Sequence, residues 1–423
     1  MVLFLLIVCS VPALGLLWLA WADWRLRRVR APGWQRIVLA AMVAANVLGF
    51  GMLIASRVLE WGFEVPLALL ASTFIWHIVV LPSVLLLSVG MLTGDGALWA
   101  FRRVRAKREG AQASVVAERA PPAQARGLSR RQVLGAGLFG APVAMQATAL
   151  TAGLSQLDAF RTREIVVSLP QLPIDFEGFT IAHITDTHVG RFTYGQTLDA
   201  IVERVNALQA DCIVHTGDLI NDSLEDMIPA GAMLARLRSR HGTFIVEGNH
   251  DLFESRTRFA SLLRTPELKA ANLRLLLDEA ATIERGSGRL QLLGMQWGNT
   301  MTEDVRTDRG RGPMLAEHAQ ILDGKRDPRA FAVLLAHHPD AFDQALRRDI
   351  PLTLAGHTHG GQLNIAEGLG PASATYRYIS GLYTKQSDGG LPAACVVGNG
   401  TGNWFPLRIN APAEIIKITL RRA

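Results

Sequence analysis

The stretch FTIAHITDTHVG, residues 179–190, decides how the second half of this chain is read. Its first seven residues have the composition of a buried β-strand. The run then ends in Asp-Thr-His, so a carboxylate (Asp186) and an imidazole (His188) leave the strand at its carboxyl end. One such pair is weak; its meaning depends on what the other strands deliver.

Four more β-rich runs carry the same kind of ending. DCIVHT (211–216) leads through Gly217 to Asp218, and GTFIVE (242–247) leads through Gly248 to Asn249, His250 and Asp251. AFAVLLAH (330–337) ends in His337 with His338 next to it, and PLTLA (351–355) runs into Gly-His-Thr-His, giving His357 and His359. Helical patterns alternate with these runs. Residues 196–209 place Leu198, Ile201, Val202, Val205 and Leu208 at helical spacing, and a second helix is expected over 223–238. AACVVGNG and AEIIKITL near the end read as further strands. This alternation predicts an α/β layered domain whose ligands bind outside the carboxyl ends of the strands, at what should be one sheet edge. Glycines before Asp218, Asn249 and His357 let the backbone turn as it leaves each strand.

Carboxylates, imidazoles and an amide together suit hard-to-borderline divalent metals. Seven positions suffice for two ions about 3.5–4 Å apart. In their order along the chain, D-x-H, G-D, G-N-H-D, H and G-H-x-H resemble the calcineurin-like metallophosphoesterase family over residues 160–423, and the flanking text is similar to its membrane-associated, cell-envelope branch. The resemblance implies a four-layer α/β/β/α sandwich binding two divalent ions, Mn, Fe or Zn. It implies Asp186, His188 and His359 on one ion, Asn249, His337 and His357 on the other, and Asp218 bridging. It makes His250 the proton donor or transition-state stabiliser, and Asp251, next in sequence, is expected to orient that imidazole. No motif residue departs from the family pattern. His183 and His215 fall at strand positions where the family usually has apolar or small residues; they, His241 and His318 read as structural. His338 should face away from His337, since neighbours in an extended chain point to opposite sides.

The first part of the chain has a different character. Residues 2–22, 37–56 and 65–94 contain no Asp, Glu, Lys or Arg, and each is long enough to cross about 30 Å of hydrocarbon as a helix. A fourth uncharged run, 132–157, is rich in Ala and Gly. An all-α region of about four membrane helices is therefore expected. It divides into three helices over 1–104, a cytoplasmic linker over 105–131 and a fourth transmembrane or signal-like helix over 132–157, ahead of the domain at 158–423. The formal net charge of +6 comes entirely from residues 1–131, with 15 Lys+Arg against 6 Asp+Glu. The arginines follow spans one and three and precede span four, where a positive-inside orientation requires them. This predicts a multi-pass protein of the plasma (inner) membrane with the large domain on the extracytoplasmic side, and gives no support to nucleic-acid binding.

Arg130-Arg131, ahead of a mildly apolar segment, reads either as a twin-arginine export signal, implying the twin-arginine translocase as a partner, or as positive-inside residues only. Arg306, Arg309 and Arg311 lie in a turn-rich segment that could grip an anion or simply be solvated. Three cysteines, Cys9, Cys212 and Cys395, form no disulfide framework.

The expected function is hydrolysis of phosphate mono- or diesters by metal-activated water, with an envelope or lipid-linked phosphate as substrate. The alternative is a non-catalytic metal-binding sensor or scaffold at the membrane. Transport ranks low, because the spans contain few polar groups.

Overall fold

Uncharged runs become helices in the first part of the chain. The computed structural model describes residues 2–57, 63–109, 130–157, 160–298 and 308–423. The chain divides into two compact units, Met1–Ala152 and Gly153–Ala423. Residues 110–129 of the expected linker, and residues 301–307 of the arginine-bearing segment, lie outside the described residues.

The first unit is built from α1 (Val2–Arg28), α2 (Gly33–Arg57), α3 (Leu67–Ile75), α4 (Leu81–Glu109) and the greater part of α5 (Arg130–Ser155). Among the described residues, three helical stretches are long and apolar enough to cross a membrane: 33–56, 67–93 and 135–155. The run 2–22 lies within α1. The third expected span is helical from Leu67 onward but not uniformly α. Trp76–Val80 forms one π-helical turn between α3 and α4, closed by a bond from the Leu81 N–H to the Trp76 carbonyl. Pro82 supplies the reason: it has no N–H to offer the carbonyl of Ile78, so the regular ladder cannot run through this point.

The second unit contains two six-stranded sheets. Its strands are β1 (Phe160–Ser168), β2 (Thr180–Ile184), β3 (Cys212–Thr216), β4 (Thr243–Val246), β5 (Leu273–Leu275), β6 (Glu279–Arg285), β7 (Gly288–Gly294), β8 (Phe331–Leu335), β9 (Leu352–Ala355), β10 (Gly381–Gln386), β11 (Pro392–Val397) and β12 (Ala413–Arg421). The first sheet runs β1-β12-β2-β3-β4-β5 and the second β10-β11-β9-β8-β7-β6. The strands β2 to β5 are mutually parallel, as are β7, β8, β9 and β11. β12 lies between β1 and β2, parallel to one and antiparallel to the other.

Alternation along each strand separates three apolar clusters. On β8, Phe331, Val333 and Leu335 join Val214, Phe244 and Val246 of the first sheet in a core between the sheets. Ala332 and Leu334 face the other way, against Leu315, Ala319 and Leu322 of α10 (Asp308–Asp323) and Phe342 of α11 (Ala341–Leu346). The outer face of the first sheet (Ala182, Ile184, Ile213, Ile245) packs on Ile201 and Val205 of α6 (Gln196–Ala207), Met233 of α7 (Met227–Leu234) and Phe259 of α8 (Arg256–Leu263). The result is the expected α/β/β/α sandwich. The helix expected over 223–238 is shorter than the pattern suggested. Ser223 accepts a bond from the Glu225 N–H and starts a 3-10 turn, and α7 begins only at Met227. Cys212 and Cys395 are free and buried in their strands.

Candidate metal centre

The five motif-bearing ends belong to two sheets, three to the first (β2, β3, β4) and two to the second (β8, β9). The expectation of a single sheet edge is corrected here: face-to-face packing brings both carboxyl-end edges together, and the site lies across the seam.

Backbone geometry at the seam is unusual. Asp186, His188, Asp218, His357 and His359 all have positive φ, between 45° and 72°. Non-glycine residues pay roughly 1–3 kcal/mol for such conformations, and Asp, Asn and His tolerate them best. Cross-loop bonds hold them in place. The Asp186 N–H donates to Gly217 O (2.9 Å), the His188 N–H to Asp218 O (3.0 Å) and the His250 N–H to Asp218 Oδ1 (2.8 Å). The His357 N–H donates to the Asp186 carboxylate at 2.9 and 3.1 Å. The three preceding glycines serve two purposes. Gly217 has φ +91°, whereas Gly248 and Gly356 are needed for close approach: a Cβ there would collide with the carboxylates of Asp218 and Asp186 respectively.

These turns aim seven side chains at one region. Asp186 Oδ1 lies 3.2 Å from His359 Nε2, which is 3.0 Å from His188 Nε2. Asp218 Oδ2 lies 3.1 Å from His337 Nε2, which is 3.2 Å from His357 Nδ1, and 3.5 Å from His188 Nε2. The groups Asp186/His188/His359 and Asp218/His337/His357 each have ligand atoms within 4.8 Å of one another, and a third group joins His188, Asp218 and His250. Asn249 Oδ1 is buried without a hydrogen-bond partner among the described residues. Nitrogen lone pairs crowded to about 3 Å and an orphaned amide oxygen fit cations of the kind the donor types suggest.

Electrostatics agree. Burial opposes ionisation of Asp218 and Asp186, yet neighbouring imidazoles hold both carboxyls below their usual range. Burial pushes His188 well below its ordinary value. His337 is also opposed by burial, but the carboxylates of Asp218 and Asp186 raise it to about 9. Its Nδ1 lies 2.7 Å from Thr216 O; a carbonyl only accepts, so Nδ1 carries the hydrogen and Nε2 faces Asp218.

His250 is held by Asn221, not by Asp251. Its Nδ1 lies 2.5 Å from Asn221 O. The fully buried Asp251 carboxylate instead accepts backbone N–H bonds from Leu219 (2.8 Å), Ile220 (3.1 Å) and Gly248 (2.8 Å). The expected orienting role is thereby corrected: three convergent amides outcompete the neighbouring ring, and Asp251 fixes the turn after β3 to the turn after β4. Burial and the nearby Asp218 charge push its carboxyl well up.

His183 and His215 are buried core residues that also brace the site, although His183 Nδ1 has no hydrogen-bond partner among the described residues. His215 Nδ1 accepts from the Gly217 N–H (3.2 Å), so its Nε2 donates to Thr187 Oγ1 (2.9 Å), between Asp186 and His188. His183 Nε2 meets Thr216 Oγ1 at 2.9 Å. Burial lowers them to about 3 and about 4 respectively, so both stay neutral. His318 pairs with Asp278 elsewhere (2.6 Å), and His241 packs on Phe179.

Sequence reasoning missed the surroundings. Trp297 packs against His337 and His357 at centroid distances of 5.3 and 5.1 Å. The buried Arg408 donates to Asn403 Oδ1 and to the carbonyls of Asn399, Gly402 and Ala411, with one nitrogen 3.5 Å from His359 Nδ1. A cleft of about 240 Å³ opens over the site between Tyr376 and Trp404. The signal for Trp404 and Arg408 was the terminal text GNGTGNWFPLRINAP, whose role no spacing rule reveals.

Residues 179–361 match the calcineurin-like phosphoesterase family. An uncharacterized metallophosphoesterase of Campylobacter jejuni is 29% identical over 268 residues, 62% of this chain and 65% of that protein. A transmembrane protein with metallophosphoesterase domain from Bos taurus is 31% identical, over 61% of this chain and 56% of its own length. A Bacillus subtilis metallophosphoesterase, also uncharacterized, is 28% identical over 70% of this chain and 98% of its own length. The first curated relatives are thus matched over less than two thirds of their lengths. Among solved structures, a dimetal phosphatase from Danio rerio is similar with a TM-score of 0.32 and 14% identity, covering 53% of this chain and 88% of that one.

Proposed function

We propose that this chain, which carries a calcineurin-like phosphoesterase domain, is a membrane-anchored hydrolase of phosphate mono- or diesters that works with two divalent ions. The observation that carries the reading is the convergence of Asp186, His188, Asp218, Asn249, His337, His357 and His359 from five strand ends, with His250 beside them. Asp186, His188 and His359 would hold one ion, Asn249, His337 and His357 the other, and Asp218 both. Such a pair supplies an activated water and neutralises charge on the phosphoryl oxygens.

The chain's own groups do the rest. Hydrolysis breaks the P–O bond to the leaving group and forms one to the oxygen of water. The departing oxygen needs a proton, and His250 is placed to give it. Its Nδ1–H is committed to Asn221 O, so Nε2 is the atom that loses a proton to the leaving oxygen and regains one from solvent. Asp251 keeps this loop fixed while the proton moves. Trp297 and Tyr376 shield the second-sheet side of the site from water.

The uncharged helices would anchor the domain in the plasma membrane, facing the extracytoplasmic side. An envelope or lipid-linked ester is then the natural class of substrate, and Arg130-Arg131 would direct export through the twin-arginine translocase. Metal analysis of protein purified from membranes decides among Mn, Fe and Zn.

The test is hydrolysis of 4-nitrophenyl phosphate and bis(4-nitrophenyl) phosphate by the full chain in detergent, with metal added or chelated. Chelation should abolish turnover. His250→Ala should lower kcat about 10²–10⁴-fold with metal content unchanged. Two bound ions and no turnover of any ester would favour the scaffold reading instead.

A further inference from the structure

We infer that Phe253 and Trp404 form a subsite for the leaving group, and that this group is a flat, uncharged ring. The inference rests on the phosphoesterase reading, because it is His250 that marks the leaving-group side. Phe253 meets the His250 ring edge-on at 4.8 Å between centroids, and Trp404 lies 6.2 Å from the same ring and 6.1 Å from His359. Both aromatics are nearly half exposed, at 45% and 43%. A single exposed aromatic is ordinary. Two that flank the group expected to protonate the leaving oxygen are placed to hold whatever that oxygen carries.

Both stand on pinned backbone. Phe253 follows the short 3-10 turn His250–Leu252, which Asp251 ties to the neighbouring loop through the amides of Leu219 and Ile220 and to its own turn through that of Gly248. Asn403, just before Trp404, donates from Nδ2 to Leu157 O (2.8 Å), receives Arg408 Nε on its Oδ1 (2.6 Å), and gives its N–H to Thr193 Oγ1 (2.8 Å). Trp404 is backed by Phe405 at 5.4 Å. Rigid aromatic walls lose little entropy when a ring settles against them.

Charge excludes the obvious competitor. No Lys or Arg is among the described residues lining the cleft. Arg408, close behind His359, commits its guanidinium to four backbone and side-chain acceptors. Among the described residues that line the cleft, a leaving group bearing its own phosphate or carboxylate would therefore find no Lys or Arg. Trp404 is among the residues lining the cleft of about 240 Å³ and Phe253 is not, so the ring would lie at the His250 side of the cleft's rim, and the cleft itself is smaller than the roughly 300–1,000 Å³ of sites for drug-sized ligands.

The test is calorimetric binding of three phosphonates to the manganese-loaded full chain in detergent: benzylphosphonate, in which a CH₂ replaces the ester oxygen, ethylphosphonate and 2-carboxyethylphosphonate. Benzylphosphonate should bind about tenfold tighter than ethylphosphonate, the scale of one good aromatic contact. The carboxylate compound should bind worst. Trp404→Ala and Phe253→Ala should each shrink the benzyl-to-ethyl ratio severalfold, and Trp404→Phe should keep most of it, which separates lost stacking from lost folding. Equal binding of the benzyl and ethyl compounds, a ratio that survives both alanine variants, or no binding of any phosphonate overturns the subsite. Turnover of the nitrophenyl esters, measured on the same preparation, distinguishes the two claims. Metal-dependent turnover without ring preference leaves the esterase and removes the subsite. Ring preference without turnover keeps an aromatic-binding pocket but overturns both the esterase and the assignment of that pocket to a leaving group.

Discussion

Both units of this protein bury polar side chains, but they satisfy them in opposite ways. In the helical unit most of these groups bond back to their own helix: Asn46 Nδ2 to Met42 O, Thr73 Oγ1 to Leu69 O, Ser83 Oγ to Val79 O and Ser88 Oγ to Val84 O. Among the described residues the links between helices are fewer: Trp18 Nε1 donates to Ser88 Oγ (3.1 Å). Ser72 Oγ donates to Asn46 Oδ1 (2.9 Å) and Gln146 Nε2 reaches Ser72 (2.8 Å). In the α/β unit, buried carboxylates and imidazoles from five strands converge until the donors crowd one another. A group satisfied within its own helix is easier to lose, whereas convergence makes each group depend on the others.

Removing a group from each unit should expose this difference. The largest effect is expected for Asp218→Asn, since Asp218 faces both donor sets. It should lower metal affinity by more than the roughly 10–100-fold that losing an outer partner of a metal ligand costs, and activity should fall with it. Metal titration of the variant checks this; retention of both ions would break the contrast.

A middle-sized effect concerns protons. In the metal-free protein His337 titrates near 9, above the roughly 6.5 of an unfolded histidine. Its proton therefore stabilises the metal-free fold fully below about 6.5, and that contribution is lost as pH rises through about 9. Metal needs the neutral ring, so apparent affinity should climb up to about tenfold per pH unit until near 9, with proton release on binding. Calorimetry in buffers of different ionisation heat would read that proton; affinity independent of pH between 7 and 9 would refute it.

The smallest effect is expected in the helical unit. Ser72→Ala should cost only about 0.6 kcal/mol, the average for hydrogen bonds between membrane helices, measured by unfolding in mixed micelles. A loss of several kcal/mol would show that the helices, too, depend on a shared polar point.

How much of this was legible in the sequence follows from the same distinction. The donors of the site were readable because each sits where a β-rich run stops, and the order of five such stops is specific. The long uncharged runs announced helices for a similar reason. The second sheet was not legible, because a strand's composition does not name its partner: nothing in FAVLL says that Val333 faces the first sheet. Asp251 was misread because adjacency in sequence stood in for contact, while its real partners lie about 30 residues back at Leu219 and Ile220. His215 read as core, and it is core, but no local pattern shows that Thr187 waits for its proton. The π turn at Trp76–Val80 becomes visible only with the helix built.

The position of β12 has a consequence for how the protein is made. β12 lies between β1 and β2, so the first sheet has a gap beside β2 until this strand arrives. Every loop that supplies a ligand to the site is translated before it. A nascent chain thus carries all the histidines and aspartates of the centre while the sheet that aligns them is still incomplete. Stable metal capture during synthesis should therefore wait for β12, and a ribosome stalled just short of it would hold a chain with its donors present but not yet gathered.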